Sequence, residues 1–273
     1  MCIRDRHNLN FTIGKQFVNF GGYEYYVNSI RVREFSEFNN LLTAYQAGIS
    51  GNWQVNPDHE LCFQIVNNRN GNDEDIYPTG LPEGTAKAKI PFMYTVNWNS
   101  YYLDKSLQLR YATAVGQQTR KRYSYYFTCG NTYEKGPLLT YLDVMYTRQG
   151  IDQHGVVSRL PGTPHTAMNT EYLSIIGDVD YRVHPQWNVY VKGAYETARV
   201  YKGNGDFRKG MYRRSWNAQS SVEFFPFKQL DLFVFVLYTY RGVILEKAAT
   251  RMGAIEPDTH RISLGLVYSI PVF

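Results

Sequence analysis

A few histidines near acidic residues are the part of this sequence best suited to acid–base chemistry. His59 lies between two acidic residues, and His154 and His165 share one segment with Asp152. Hydrolases use a histidine beside a carboxylate to move protons. However, His59 has no serine near it in the sequence, and the turn-forming residues 161–164 (PGTP) favour a rigid loop before His165. A hydrolase, either a lipase or a protease, is therefore an alternative and not the main prediction.

Other motifs that carry chemistry do not occur in the sequence. It contains no phosphate-binding glycine loop and no cluster of metal ligands. Cys2, Cys62 and Cys129 are odd in number and far apart, which predicts free thiols instead of a disulfide framework or a metal site. We expect neither a cofactor nor catalytic residues, and no nucleic-acid partner.

Charged residues occur at every second position in several segments. In the segment 173–183, Asp178, Asp180 and Arg182 share one parity, and the other parity carries no charge. The segment around Lys192 divides in the same way. Such alternation predicts β-strands with one apolar and one polar face, because successive side chains of a strand point to opposite sides.

The length of the alternating segments distinguishes a membrane barrel from a soluble sandwich. About twelve segments alternate, most of them near the roughly 9 to 11 residues of a tilted membrane strand, whereas sandwich strands average about 5 or 6. The sequence has 24 Tyr, 15 Phe and 4 Trp, yet its mean hydropathy is −0.41, as expected where only every second residue meets lipid. We predict an all-β fold, a transmembrane antiparallel up-and-down β-barrel of the bacterial outer membrane.

The connections between the predicted strands alternate between short and long. Going back from the C-terminus, they are long at 242–258, short at 226–229, long at 201–212, short at 184–186 and long at 150–169. Outer-membrane barrels have short periplasmic turns and long extracellular loops, so this order places Phe273 in the periplasm. Trp53, Trp98 and Trp187 lie near predicted periplasmic turns, as expected for an aromatic girdle. The short link at 118–122 breaks the rule.

The first residues do not fit the barrel pattern. Residues 1–6 lack the apolar core of a signal peptide and resemble translated adapter sequence, so we predict a non-native leader. Residues 7–273 are expected to form a single barrel domain that has lost its first strands. The whole barrel would then have about 16 strands, a number that leaves an aqueous channel.

The segment 14–24 (GKQFVNFGGYE), followed by Asn28-Ser29, Gly48 and Gly51, supports a family resemblance. It resembles the strand-and-loop signature of the phosphate-selective porins O and P, whose Bacteroidota relatives are rich in tyrosine. The likeness is close over about the first fifth of the chain and extends to the rest as barrel pattern. It implies a trimeric channel with a long loop, 17–41, folded into the pore.

The resemblance gives the pore a candidate constriction. In the 17–41 loop, Arg31 and Arg33 would offer guanidinium groups to passing anions, which bidentate hydrogen bonding suits. Alternatively, they pair with Glu34 and only fix the loop. The candidate wall residues of the pore are Arg110, Asp178, Asp180, Arg182 and Lys192.

The predicted wall has charges of both signs, which favours a general porin over an anion-specific one. We predict a porin for passive diffusion of small hydrophilic solutes, with anions such as phosphate as a narrower hypothesis. The expected partners are the lipid bilayer, lipopolysaccharide phosphates at basic loops such as 120–122, and two further copies in a homotrimer. A closed scaffold or adhesin barrel is another alternative, since Phe233, Phe235 and Leu237 would suit a filled interior.

Overall fold

In the residues that it describes, the structure, a computed structural model, consists of strands and one short helix. It describes residues 2–4, 8–18, 20, 45–67, 77, 80–82, 84–86, 88, 91–153, 155–160, 165–205, 207–227 and 232–268. No helix in these ranges is long and apolar enough to cross a membrane. The elements are β1 (Cys2–Arg4), β2 (Leu9–Phe17), β3 (Tyr45–Asn56), β4 (His59–Asn67), β5 (Phe92–Tyr102), β6 (Leu107–Thr119), β7 (Arg122–Lys135), β8 (Leu138–Ile151), β9 (Met168–His184), β10 (Trp187–Val200), β11 (Gly210–Phe224), β12 (Leu232–Leu245), α1 (Lys247–Thr250) and β13 (Thr259–Tyr268).

All thirteen strands belong to one antiparallel sheet in which each strand pairs with its neighbours in the sequence. Within the described ranges, β1 and β13 do not pair with each other. Strands β2 to β13 correspond to the alternating segments, so the prediction of about twelve antiparallel strands is confirmed. Strand β1 falls within residues 1–6 and pairs with β2 through Cys2 and Thr12. The non-native origin of that segment stays a prediction.

The sheet buries polar side chains and exposes apolar ones. On β10, Lys192 is 1% exposed while the adjacent Val191 is 53% exposed. On β5, Asn97 is buried and its neighbours Val96 and Trp98 are exposed. A water-soluble protein does not expose apolar patches of this extent, whereas a barrel in lipid has an apolar outer face and a polar inner face. We therefore call the buried face the inner wall and the exposed face the lipid side.

The connections follow the predicted order. At one edge of the sheet they are short, at 57–58, 103–106, 136–137 and 185–186. At the other edge they are long, at 18–44, 68–91, 152–167, 201–209 and 246–258, except for the two-residue link 120–121 between β6 and β7. By the rule for outer-membrane barrels, the short turns mark the periplasmic edge and the long loops the extracellular edge.

Candidate pore lining

The structure describes five of the eight predicted pore residues. Arg31, Arg33 and Glu34 lie outside the described residues. The other five fall on the parity of the inner wall, as the strand registers show, and they are Arg110, Asp178, Asp180, Arg182 and Lys192.

Two of these residues form a cross-strand pair of opposite charge. Lys192 on β10 is the register partner of Asp178 on β9, and Asp178 is in turn the partner of Tyr141 on β8. Opposite charges that face each other across neighbouring strands attract. Lys192 and Asp178 are both buried, so this part of the wall presents a partly compensated pair.

Arg182 has a different position from the other four. It is exposed near the periplasmic end of β9, and its guanidinium carbon lies 4.0 Å from the centre of the Phe225 ring. A guanidinium group over an aromatic face is stabilised by the quadrupole of the ring. Arg182 thus belongs to the periplasmic rim of the wall.

A glycine separates an arginine and a carboxylate on the middle strands. Gly130 on β7 is the register partner of both Arg110 on β6 and Asp143 on β8. A Cβ atom at Gly130 would lie 3.3 Å from Oδ1 of Asp143, because the carboxylate leans over the glycine. Asp143 accepts hydrogen bonds from the hydroxyl groups of Tyr141 and Thr128, each at 2.5 Å. The wall therefore holds this carboxylate in one position.

The polar row continues from Arg110 toward β4. The Nε of Arg110 donates to Oδ1 of Asn99 at 3.1 Å, and Nδ2 of Asn99 donates to Oε2 of Glu60 at 3.3 Å. Charge-assisted bonds of this kind are stronger than bonds between neutral groups. Asn99 thus links Glu60 of β4 to Arg110 of β6. Its position in the alternating pattern did not predict this role.

Two further acids face the same side. Glu196 on β10 accepts hydrogen bonds from Ser174 on β9 and Ser215 on β11, both at 3.4 Å. Glu223 on β11 accepts one from Nδ2 of Asn188 at 3.0 Å. Each carboxylate is thus bound by polar groups of the neighbouring strand, and the described inner wall carries more acids than bases on β8 to β11.

Toward the extracellular edge, the inner wall is apolar and rich in tyrosine. Val18 and Phe20, which follow β2, are buried in a cluster with Tyr126 and Tyr172 of the wall. The Phe20 and Tyr126 rings contact edge to face, with their centres 6.0 Å apart. Residues from three other connections complete the cluster, and they include Val157, Leu160, Phe207 and Ala249. Of the predicted 17–41 loop, only its first residues are described.

Asp152 fastens the 152–167 loop to this cluster. Its buried carboxylate accepts hydrogen bonds from Ser158, at 2.8 Å from the backbone N–H and 2.6 Å from the hydroxyl group. Thr170 donates to it at 3.4 Å, and the Tyr172 hydroxyl also donates to it. Burial raises the pKa of Asp152, and the hydrogen bonds from Ser158 and Tyr172 oppose this. We call this group the Asp152 latch.

The latch leaves no space for a larger residue in its loop. A Cβ atom at Gly155 would lie 1.5 Å from Oδ1 of Asp152. Of the two histidines predicted near Asp152, His154 lies outside the described residues, and His165 packs on Phe207 with ring centres 5.4 Å apart. Among the described contacts, those of Asp152 therefore stabilise the conformation of the 152–167 loop.

His59 does have a serine nearby, which the sequence did not predict. Its Nδ1 lies 3.1 Å from Oγ of Ser100, and the two residues are 41 positions apart. The His59 ring also contacts Trp98 and Tyr102, at 5.8 and 6.2 Å between ring centres. Ser100 is 1% exposed, so this contact is buried beside Trp98 and Tyr102 near the periplasmic edge.

The three apolar residues predicted to fill the lumen lie along the wall. Phe233, Phe235 and Leu237 are buried on the inner face of β12. A Cβ atom at Gly265 of β13 would lie 2.5 Å from the Phe235 ring. The ring thus covers the adjacent strand at a glycine, as bulky residues do in many sheets.

An antiparallel sheet with an apolar lipid side and a charged inner wall defines a β-barrel of the outer membrane. The family model described as phosphate-selective porin O and P matches residues 4–270. The chain belongs to this family, as its N-terminal segment predicted, and it is an outer-membrane porin.

Two solved structures from different bacteria have the same fold. OmpT, an outer membrane protein of Vibrio cholerae, is 12% identical, with 96% of this chain and 76% of that chain covered and a TM-score of 0.56. The outer membrane channel DcaP of Acinetobacter baumannii is 11% identical, with 96% and 72% covered and a TM-score of 0.58. No curated protein matches the sequence. These likenesses show the barrel fold.

Proposed function

We propose that the chain lines a water-filled channel through which small hydrophilic solutes cross the outer membrane by passive diffusion. The observation that supports this most directly is the inner wall, where Arg110, Asp143, Asp178 and Lys192 share one face of the sheet. Diffusion needs no covalent step. We also propose that the protein is not an enzyme, since its one described histidine–serine contact is covered by aromatic rings.

We propose that the preference for anions such as phosphate is a property of the 17–41 loop and not of the wall. Arg31 and Arg33 offer two guanidinium groups two positions apart, with Glu34 beside them. Support comes from Val18 and Phe20, the described residues of this loop, which are buried against the inner wall. The wall itself carries several acids, which argues for attributing anion binding to the loop.

Single-channel recording in planar bilayers tests both proposals. We expect stepwise conductance from the wild-type protein, and a reversal potential in a phosphate gradient that shifts toward cations in an Arg31→Ala/Arg33→Ala variant. The control Arg208→Ala/Lys209→Ala removes the same charge from the 201–209 loop and should leave the potential unchanged. Wild-type protein without conductance steps would refute the channel, and an unchanged reversal potential in the first variant would refute the role of the loop.

A closed barrel that works through its loops is the second candidate function. The apolar cluster at the extracellular half favours it, because Phe20 and residues of three other connections pack together there. The Phe20→Ala variant separates the two candidates. A closed barrel predicts no conductance in the wild type and measurable conductance in the variant, whereas a channel conducts in both.

We propose that the protein contacts lipopolysaccharide in the membrane and assembles as a homotrimer. A trimer form of OmpT from Vibrio cholerae has a similar fold, with 12% identity, 95% of this chain and 74% of that chain covered, and a TM-score of 0.51. The lipid side of β2 to β4 has an apolar hollow of about 540 Å³ between Phe11, Trp53 and Phe63, where side chains of a neighbouring copy would fit. The mass of the detergent-solubilised protein by light scattering tests the trimer.

A further inference from the structure

The lipid side of the sheet carries a group of charged side chains at the extracellular ends of β8 to β10. Arg148, Glu171 and Arg199 are register partners in one row across these three strands. The Nε of Arg199 lies 2.8 Å from Oε2 of Glu171, and the Tyr146 hydroxyl donates to Oε1. Glu171 therefore fixes the guanidinium group of Arg199 and is itself held by Tyr146.

Arg148 is held by an aromatic ring. Its guanidinium carbon lies 3.9 Å from the centre of the Tyr201 ring, and the Tyr201 hydroxyl donates to Oδ1 of Asn169 at 3.4 Å. Stacking of this kind orients a guanidinium group while its N–H groups at the edge stay available for a ligand. Arg148 is exposed, and its hydrogen bond to Tyr201 uses only part of the five N–H donors of a guanidinium group.

A third arginine reaches the same place from β7. The Nη1 of Arg122 donates to the Gly150 carbonyl at 3.2 Å and to Oδ1 of Asn169 at 3.3 Å. A Cβ atom at Gly150 would lie 2.9 Å from Cβ of Arg122, so the glycine is what lets Arg122 lie across β8. We call the group of Arg122, Arg148, Glu171 and Arg199 the outer-rim cluster.

The outer-rim cluster lies at the border of the apolar band. Along the lipid side of β9, polar Asn169 and Glu171 are followed by Leu173, Ile175 and Val179. This change from polar to apolar marks the level at which lipid headgroups meet the barrel. With three guanidinium groups and one carboxylate, the cluster has an excess of positive charge at that level, and the Arg199 side chain is 48% exposed.

We propose that the outer-rim cluster binds a phosphate group carried by a lipid of the outer leaflet. Guanidinium groups bind phosphate oxygens in pairs of parallel hydrogen bonds, and here three of them are held in place before a ligand arrives. The cluster faces lipid and not the lumen, so its ligand is a headgroup and not a solute in transit. The inference gives a site to the lipopolysaccharide contact proposed above, and it does not depend on conduction.

Binding of diphosphoryl lipid A to the detergent-solubilised protein tests this site. An Arg148→Gln/Arg199→Gln variant should bind at least about tenfold more weakly, since a hydrogen bond to a charged group contributes roughly a factor of ten. The control Arg208→Gln/Lys209→Gln removes the same charge from the 201–209 loop and should bind like the wild type. Equal affinity of the first variant and the wild type would overturn the proposal.

Further experiments identify the chemical group that the site binds and check that a weaker affinity is not caused by misfolding. The wild type should bind dephosphorylated lipid A no more tightly than the double variant binds diphosphoryl lipid A. Millimolar inorganic phosphate should not displace diphosphoryl lipid A from the wild type. Displacement by inorganic phosphate would mean a site for free anions and would contradict a lipid site.

The Arg148→Lys variant keeps the charge and loses the planar guanidinium group. We expect a folded variant with an affinity for lipid A between those of the wild type and the double variant, and wild-type affinity would refute the paired hydrogen bonds. A protein that binds lipid A without conducting would refute only the channel.

Discussion

The two halves of the inner wall are built differently. Toward the periplasmic edge, Lys192 and Asp178 face each other across two strands, and hydroxyl groups of Thr128 and Tyr141 hold Asp143. Toward the extracellular edge, Phe20, Tyr126 and Val157 pack in an apolar cluster with the long loops. Both halves follow the same alternation of side chains. Side chains of the inner parity thus provide a surface for solutes in one half of the wall and contacts for the loops in the other.

If the extracellular half is held by packing, Tyr126→Ala should have the largest effect. The substitution removes a fully buried ring, and we expect the free energy of unfolding to fall by about 3–5 kcal/mol. The neighbouring Tyr125 is 51% exposed on the lipid side, so Tyr125→Ala is the matched control and should cost less than half as much. Urea unfolding of the refolded protein measures both, and equal losses would contradict the packed half.

The Asp152 latch should contribute the next largest effect. Asp152→Ala leaves the Ser158, Thr170 and Tyr172 donors without their acceptor, at a cost of about 1–3 kcal/mol. We expect faster amide exchange at Ser158 and Ala167 and little change in β10. Glu134→Ala, at an exposed acid of β7 near the periplasmic edge, should leave these amides unchanged. Slow exchange in the Asp152 variant would show that the loop is held by packing alone.

The pH dependence of the latch has a definite sign. Burial raises the pKa of Asp152 above the ordinary value for an aspartate, so the folded loop binds its proton more tightly than the unfolded loop does. The stability of the loop should therefore fall as the pH rises from the ordinary pKa through the raised one, and then stay constant. Exchange at Ser158, corrected for intrinsic rates, measures this. Asp152→Asn should abolish the dependence, and an increase in protection with pH would contradict it.

In the periplasmic half, the smallest effects should appear in ion selectivity. Lys192→Gln should shift the reversal potential toward cations and Asp178→Asn toward anions. Each change should be about twofold in the permeability ratio, because a unit charge roughly 8 Å away in water contributes about 0.5 kcal/mol. Reversal potentials in a potassium chloride gradient test this. Shifts of the same sign would mean that the pair does not line the path of the ions.

The sequence predicted the strands and their faces because alternation is a local property. Lys192 and Val191 are adjacent in the sequence and lie on opposite faces of the sheet. The short and long connections mark the two edges of the sheet. The contact between Tyr126 and Phe20 could not be predicted, because the two residues lie on distant segments of the sequence.

Contacts between distant segments of the chain were not predictable either. The His59–Ser100 contact joins residues 41 positions apart, and the outer-rim cluster joins four strands whose order comes from pairing. Arg182 was predicted as a wall residue close to the short turn at 184–186, but its stacking on Phe225 was not predicted, because the two residues are far apart in the sequence. Periodicity gives the face of a residue, whereas its neighbours depend on strand register and loop conformation.

The alternation along the strands also matters before the barrel exists. A protein of the outer membrane first crosses the inner membrane as an unfolded chain, where continuous apolar segments of about 20 residues would be retained as helices. In β10, the lipid-facing Val189 and Val191 are interrupted by Tyr190 and followed by Lys192. The residues that later line the pore thus dilute the hydrophobicity of each strand, and the polar wall is also what lets the polypeptide be secreted.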